Sequence, residues 1–185
     1  MANGNISNSI SIIDFLSEDI SKNVLTEKYG LGKNYAEWII KNKKSISNNP
    51  DKIVPFAYRP FDNRYTYFDN KLAWRPRTKI MSNFLAGDNI SLEVCRQVIG
   101  SNWAHIFITD KMPDDSYVSN RTRERGYALP LYLCQNDGSK IPNLKQETVN
   151  QIEKIVGKTI PEDIFDYIYA VLHSPSYREK YKEFL

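Results

Sequence analysis

Two Arg-Pro steps, Arg59-Pro60 and Arg75-Pro76, constrain the middle of this chain more than any other feature in it. Proline fixes its own φ, lacks an N–H and biases the residue before it toward extended backbone, so no helix runs through either step. Residues 53–58 and 64–68 are rich in aromatic and β-branched side chains, and 60–63 is good turn material. Together these features predict a β-hairpin. The same stretch, from Pro55 to Arg77, interleaves aromatics with arginines. A guanidinium is a planar, permanently charged fork; held against an aromatic plane and aimed by a proline, it suits phosphate oxygens and base edges. Arg64, Arg77 and Lys79 are the candidates for phosphate contact and Asn63 for a base edge. Arg59 and Arg75 have an equal structural reading, stacking on Phe61 or Trp74 or pairing with Asp62 and Asp69.

Both ends of the chain read as helical. Ser17 with Glu18 and Asp19 resembles a helix start, Ile20, Val24 and Leu25 supply an apolar stripe, and Gly30 and Gly32 end it. Asn34 is placed to cap a second helix through Trp38, Ile39 and Ile40, closing on Lys41, Lys43 and Lys44. After the hairpin, further strands are expected over 91–99, 104–109 and 128–134, with a turn at Gly100-Ser101-Asn102 and a break at Asn136-Asp137-Gly138-Ser139. Between them, 110–126 reads as a long polar loop carrying Asn120, Arg121, Arg123 and Arg125, the length of loop that carries function in compact domains. A helix is expected over 146–156. Pro161 then opens one with Ile164, Tyr167, Ile168, Val171 and Leu172 at helical spacing, and Ser174-Pro175 restarts another. The predicted class is α+β: a mixed, mainly antiparallel sheet with N-terminal helices and a C-terminal helical hairpin. One domain over 1–185 is expected, with a helical part at 5–48, a β-rich core at 53–135 and helices at 140–185.

Several classes are argued against. A net charge of +3 is too mild for whole-molecule electrostatics to drive binding to DNA, so the local clustering of Arg59, Arg64, Lys71, Arg75, Arg77 and Lys79 against Asp62 and Asp69 matters more. Only eight glycines are available, and no Gly-rich strand-to-helix turn for a nucleotide or S-adenosylmethionine occurs, so no cofactor is expected here. Asn48-Asn49-Pro50-Asp51 lacks the second proline and the aromatic of a methyltransferase Asn-Pro-Pro-Tyr tetrapeptide. Asp110, Asp114, Asp115 and Glu124 lack the lysine partner of a metal-dependent nuclease and read as a solvated acidic loop. His105 reads as a sheet histidine and His173 as a helix C-cap. Cys95 and Cys134 read as reduced, buried thiols, and no apolar stretch suggests export or membrane insertion, so a cytoplasmic protein is expected.

Five separated blocks carry a resemblance. Tyr58-Arg59-Pro60-Phe61-Asp62-Asn63-Arg64-Tyr65-Thr66-Tyr67-Phe68, Arg75-Pro76-Arg77, Phe107-Ile108-Thr109-Asp110-Lys111, the run from Gly126 to Leu133 and the run from Pro161 to Tyr181 resemble the C-terminal region of single-chain restriction–modification enzymes, including the type ISP group. The resemblance implies a non-catalytic target-recognition domain for double-stranded DNA, a fragment of a larger enzyme. In such enzymes it follows an adenine-N6 methyltransferase domain that uses S-adenosylmethionine and can be joined to helicase and nuclease domains. Enzymes of this kind read different sequences while sharing these blocks, so specificity is expected in the variable loop with Asn120, Arg121 and Arg123. The competing expectations are a structural coupling module between enzyme domains without base contacts, and a small metal-dependent nuclease.

Overall fold

The computed structural model describes residues 20–43, 49–70, 76–95, 105–119 and 125–182. The expected mixed α+β class is what it has, with antiparallel sheets, helices at the N-terminal end and a C-terminal helical pair. The chain divides into two compact units between Thr78 and Lys79.

In the first unit, helix α1 (Lys22–Glu27) begins at Ser21, whose hydroxyl accepts the Val24 N–H at 3.3 Å. The earlier start expected at Ser17 lies outside the described residues. Helix α2 (Lys33–Lys43) opens one residue before Asn34, so Asn34 sits in the first turn and does not cap it, while Lys41 and Lys43 close the helix as expected. Leu25, Ala36 and Ile39 form one apolar cluster with Ile20 and with Tyr67 of the following hairpin. That contact seats the hairpin on the helices. Strands β1 (Ile53–Arg59) and β2 (Asp62–Tyr67) pair antiparallel from Ile53↔Tyr67 to Ala57↔Asn63 and then Arg59↔Asp62, which leaves Tyr58 as the extra residue of a bulge. The turn is Pro60 and Phe61 alone, tighter than 60–63.

The second unit opens within the one-turn helix α3 (Thr78–Met81). Its central strand β3 (Ser91–Cys95) lies between β4 (Ile106–Thr109) and β6 (Gly126–Pro130), antiparallel to both; the two-residue β5 (Met112–Pro113) comes between these in sequence. The single strand expected over 128–134 is two. Leu131 interrupts it by donating its N–H to the Ile90 carbonyl at 2.8 Å and burying its side chain. The chain then pairs as β7 (Tyr132–Cys134) with β8 (Lys140–Pro142) across the expected break. Of 91–99 only the part through Cys95 is described, and the Gly100 turn lies outside the described residues.

Helix α4 (Gln146–Val156) has the expected bounds and stops at Gly157, whose φ of 87° is left-handed. Helix α5 (Pro161–His173) carries Pro161 at its first position, and Asp163 accepts the Ile160 N–H at 3.2 Å. Helix α6 (Pro175–Tyr181) is capped by Ser174, which accepts the Tyr177 N–H. Alternation along β3 sends Leu92 to one face, where it packs with Ile106, Leu131 and Phe165 of α5. Glu93 faces the other way, paired in register with Phe107, whose ring meets Tyr117 edge-on at 6.1 Å. Part of the expected polar loop is buried, at Met112, Asp114, Tyr117 and Val118.

Candidate nucleic-acid interface

The hairpin tip gathers charge onto one aromatic ring. Asp62, Arg64 and Thr66 share a face of β2 by strand alternation, and the Arg64 fork closes on Asp62 with Nε to Oδ1 at 3.0 Å and Nη2 to Oδ2 at 2.7 Å. The same guanidinium lies 3.8 Å from the Tyr58 ring centroid and the Arg59 guanidinium 4.0 Å from it. The bulge is what makes this possible, because it brings Tyr58 out of the regular alternation. The Arg64 hydrogen bond first, and then the Arg64 and Arg59 charges, hold the Asp62 carboxyl below its ordinary range. Arg59 thus stacks on Tyr58. Phe61, expected as its platform, is 100% exposed and has a φ of 67°. Asp69, the other expected arginine partner, is paired with Lys52.

The expected contact residues fall into three groups. Asn63, Arg77 and Lys79 are exposed, and among the described residues none hydrogen-bonds or ion-pairs with their side chains. Arg77 holds a left-handed φ of 45°. Arg64 is clasped by Asp62, and Arg125 is held with Nε 3.4 Å from Asp115 Oδ2. The Gly126 N–H donates to the Asp115 carbonyl at 2.9 Å, so Arg125 stands at an anchored stem. Asn120, Arg121 and Arg123 lie outside the described residues. Asn63 and Arg64 are neighbours on β2 with opposite facings, and Arg77 and Lys79 fall on either side of the division between the units.

Two buried asparagines hold the backbone that carries Lys79. Asn83 donates through Nδ2 to the Lys79 and Ile80 carbonyls at 3.1 and 2.9 Å and accepts the Cys134 N–H through Oδ1 at 2.7 Å. Asn89 donates to the Tyr132 carbonyl at 2.9 Å and accepts the Tyr132 N–H at 3.1 Å, acting as a surrogate strand residue. Nothing in the local sequence signals these roles. Cys134, expected to be buried, is half-buried against this junction.

The other ionisable candidates are structural. His173 does not cap its own helix. Its Nε2 lies 3.2 Å from the Ile106 carbonyl and its Nδ1 3.1 Å from Arg178 Nη2. Since a guanidinium only donates, Nδ1 accepts and Nε2–H donates to Ile106. Arg178 meanwhile caps the Leu172 carbonyl at 2.7 Å. Asp110 pairs with Lys111, and Asp114 accepts the Ser116 N–H at 3.0 Å in a turn. Among the described residues no group of three or more His, Cys, Asp or Glu side chains is placed to hold a metal, and no helix is long and apolar enough to cross a membrane. Glu93 lacked any signal in the sequence: it is buried, its Oε1 has no hydrogen-bond partner among the described residues, and burial pushes its carboxyl up to about 8.

The scaffold is α+β with antiparallel sheets, and it carries arginines on an aromatic-rich hairpin and a terminal helical pair. The chain belongs to the type ISP C-terminal specificity domain family, whose model matches residues 22–185. No curated protein matches it significantly. Several solved structures share its fold, among them the following three. A cryo-electron-microscopy structure of a DrdV–DNA complex is 24% identical with a TM-score of 0.65, covering 96% of this chain. The ATP-dependent type ISP restriction-modification enzyme LlaBIII bound to DNA is 20% identical with a TM-score of 0.62 and 96% coverage. A nuclease-deletion mutant of the type ISP enzyme LlaGI, in complex with a DNA substrate mimic, is 16% identical with a TM-score of 0.58 and 97% coverage. The chain spans 18%, 12% and 17% of the lengths of those three chains, respectively.

Proposed function

We propose that this domain binds double-stranded DNA and selects the site at which the rest of a restriction–modification enzyme acts. Family membership carries the reading, supported by the DNA present with all three solved relatives. The domain itself makes no bond. Methylation of adenine N6, with S-adenosylmethionine, falls to a methyltransferase domain of the same polypeptide, and the site of action is cytoplasmic. Arg77 and Lys79 meet backbone phosphates first, since each presents an exposed cation with no partner among the described residues. Arg64 and Arg125 reach phosphate by exchanging Asp62 and Asp115 for it. Asn63, Asn120, Arg121 and Arg123 meet base edges, where a bidentate contact discriminates by roughly 1–3 kcal/mol.

Duplex binding across a salt series tests this. Alone, the chain is expected to bind in the non-specific range of about 10⁻⁴ to 10⁻⁶ M. Arg77→Ala and Lys79→Ala should each reduce the slope of log K against log salt by about 1. Unchanged slopes in both variants sink the phosphate assignments. A second reading, coupling between enzyme domains, is favoured by a different observation: Ile155, Val156 and Ile160, at the end of α4 and just beyond, are exposed. It predicts that polar substitutions there weaken association with the methyltransferase domain and leave duplex binding untouched.

A further inference from the structure

A large aromatic side chain in full contact with water, on a backbone it strains to adopt, calls for an explanation. Phe61 is that residue: 100% exposed, at φ 67°, at the second position of a two-residue hairpin turn. Pro60 before it and a positive φ at Phe61 match the pattern of a type II turn, whose second central position ordinarily takes glycine. A β-carbon there is strained and an exposed phenyl gains nothing from folding, so neither turn geometry nor the core accounts for the residue. The stiff part is what holds it. The turn closes on the Arg59↔Asp62 pair, the bulged Tyr58 lies under the Arg59 and Arg64 guanidiniums, and Asp62 clasps Arg64. Phe61 is therefore a single apolar wedge on a rigid tip with two cations immediately behind it.

We infer that Phe61 inserts at a base step of duplex DNA, unstacking it, while the guanidiniums behind the tip face the flanking phosphates; this rests on the DNA-binding reading above. Apolar wedges of this type open base steps, and the unstacking is offset by the surface the deformed duplex then contacts. The immediate surroundings favour nucleic acid over a protein socket. Docking plugs sit within apolar patches, whereas Phe61 is followed by Asp62, Asn63 and Arg64 and preceded by Pro60 and Arg59.

The test needs no knowledge of the recognised sequence. A mismatch lowers the cost of unstacking, so a wedge binds a mismatched duplex more tightly than the same duplex fully paired. The 185-residue chain is titrated against both duplexes, as wild type, Phe61→Ala and Phe61→Tyr, each first checked for an unchanged fold by circular dichroism. Wild type and Phe61→Tyr should prefer the mismatched duplex, and Phe61→Ala should lose that preference and bind it roughly 5- to 150-fold more weakly, the cost of one base–aromatic stack. If Phe61→Ala keeps the wild-type preference and affinity, the wedge is refuted while DNA binding stands. If the wild-type chain binds neither duplex at low salt, the DNA-binding reading falls and takes the wedge with it. Loss of association with a methyltransferase domain in Phe61→Ala, with mismatch preference intact, assigns the tip to a protein socket and also overturns the proposal.

Discussion

A left-handed φ costs a residue with a β-carbon roughly 1–2 kcal/mol, and Phe61 and Arg77 bear that cost at 67° and 45°. Both lie in the aromatic and arginine-rich stretch, and both point large side chains into solvent. Replacing Phe61 with glycine should therefore stabilise the hairpin by about 0.5–1 kcal/mol, the strain relief less the extra unfolded-state freedom of glycine; a urea melt measures it, and destabilisation would contradict the strain argument. Glu93 has the opposite character, a buried acid without a partner at Oε1 among the described residues. Its folded pKa of about 8 stands above its ordinary 4.5, so its contribution is fully present below about 4.5 and is lost as pH rises through about 8. Glu93→Gln should remove that slope and stabilise the chain at pH 9 by a few kcal/mol, because each tenfold difference in proton affinity between folded and unfolded chain is worth about 1.4 kcal/mol. At pH 4 the same substitution should change little. Sequence could not reveal Glu93, because an acid in a strand looks solvent-facing until both faces of the sheet are covered, here by α5 and by the segment with Tyr117.

At the scale of elements, what was legible followed local rules. Helices α4, α5 and α6 matched expectation because Pro161, Pro175 and Gly157 mark their ends and the apolar spacing is regular. The run through Leu131 misled because an unbroken apolar series has no period to show where a strand changes partner. The Asn83 and Asn89 junction was hidden for another reason. Asparagines in a polar segment read as loop, and their partners lie 43 to 51 residues away. Asn83→Ala leaves the Cys134 N–H without its acceptor, and should cost about 1–3 kcal/mol in a thermal or urea melt. Tyr132 offers a control on the same strand. Its hydroxyl donates to Glu162 at 2.5 Å, and that bond, with burial, pushes its pKa up to about 12. Glu162→Gln should bring the Tyr132 titration back toward 10 in ultraviolet absorbance, without disturbing the Asn83 contacts.

For the whole molecule, a net charge of +3 means that affinity for a polyanion depends on a few placed cations and not on bulk attraction. Of the proposed contact residues, Arg77 and Lys79 are the cations lacking partners among the described residues, and the combined Arg77→Ala and Lys79→Ala variant should flatten the salt slope by about 2, one unit for each phosphate contact removed, measured by fluorescence anisotropy. Residue type and clustering made the fold class legible. Ion-pair partners were not: the claims of Asp62 on Arg64 and of Asp115 on Arg125 depend on a bulge and a stem that no local pattern announces. That stem has a further consequence. The Asp115 carbonyl accepts the Gly126 N–H, which ties these two positions together, and a doubling of chain length between tied ends costs only about 0.6 kcal/mol. Stretches of different size and chemistry can be exchanged there with the strands on either side undisturbed, which makes this position a natural place to swap inserts between relatives and ask whether preference for a target travels with them.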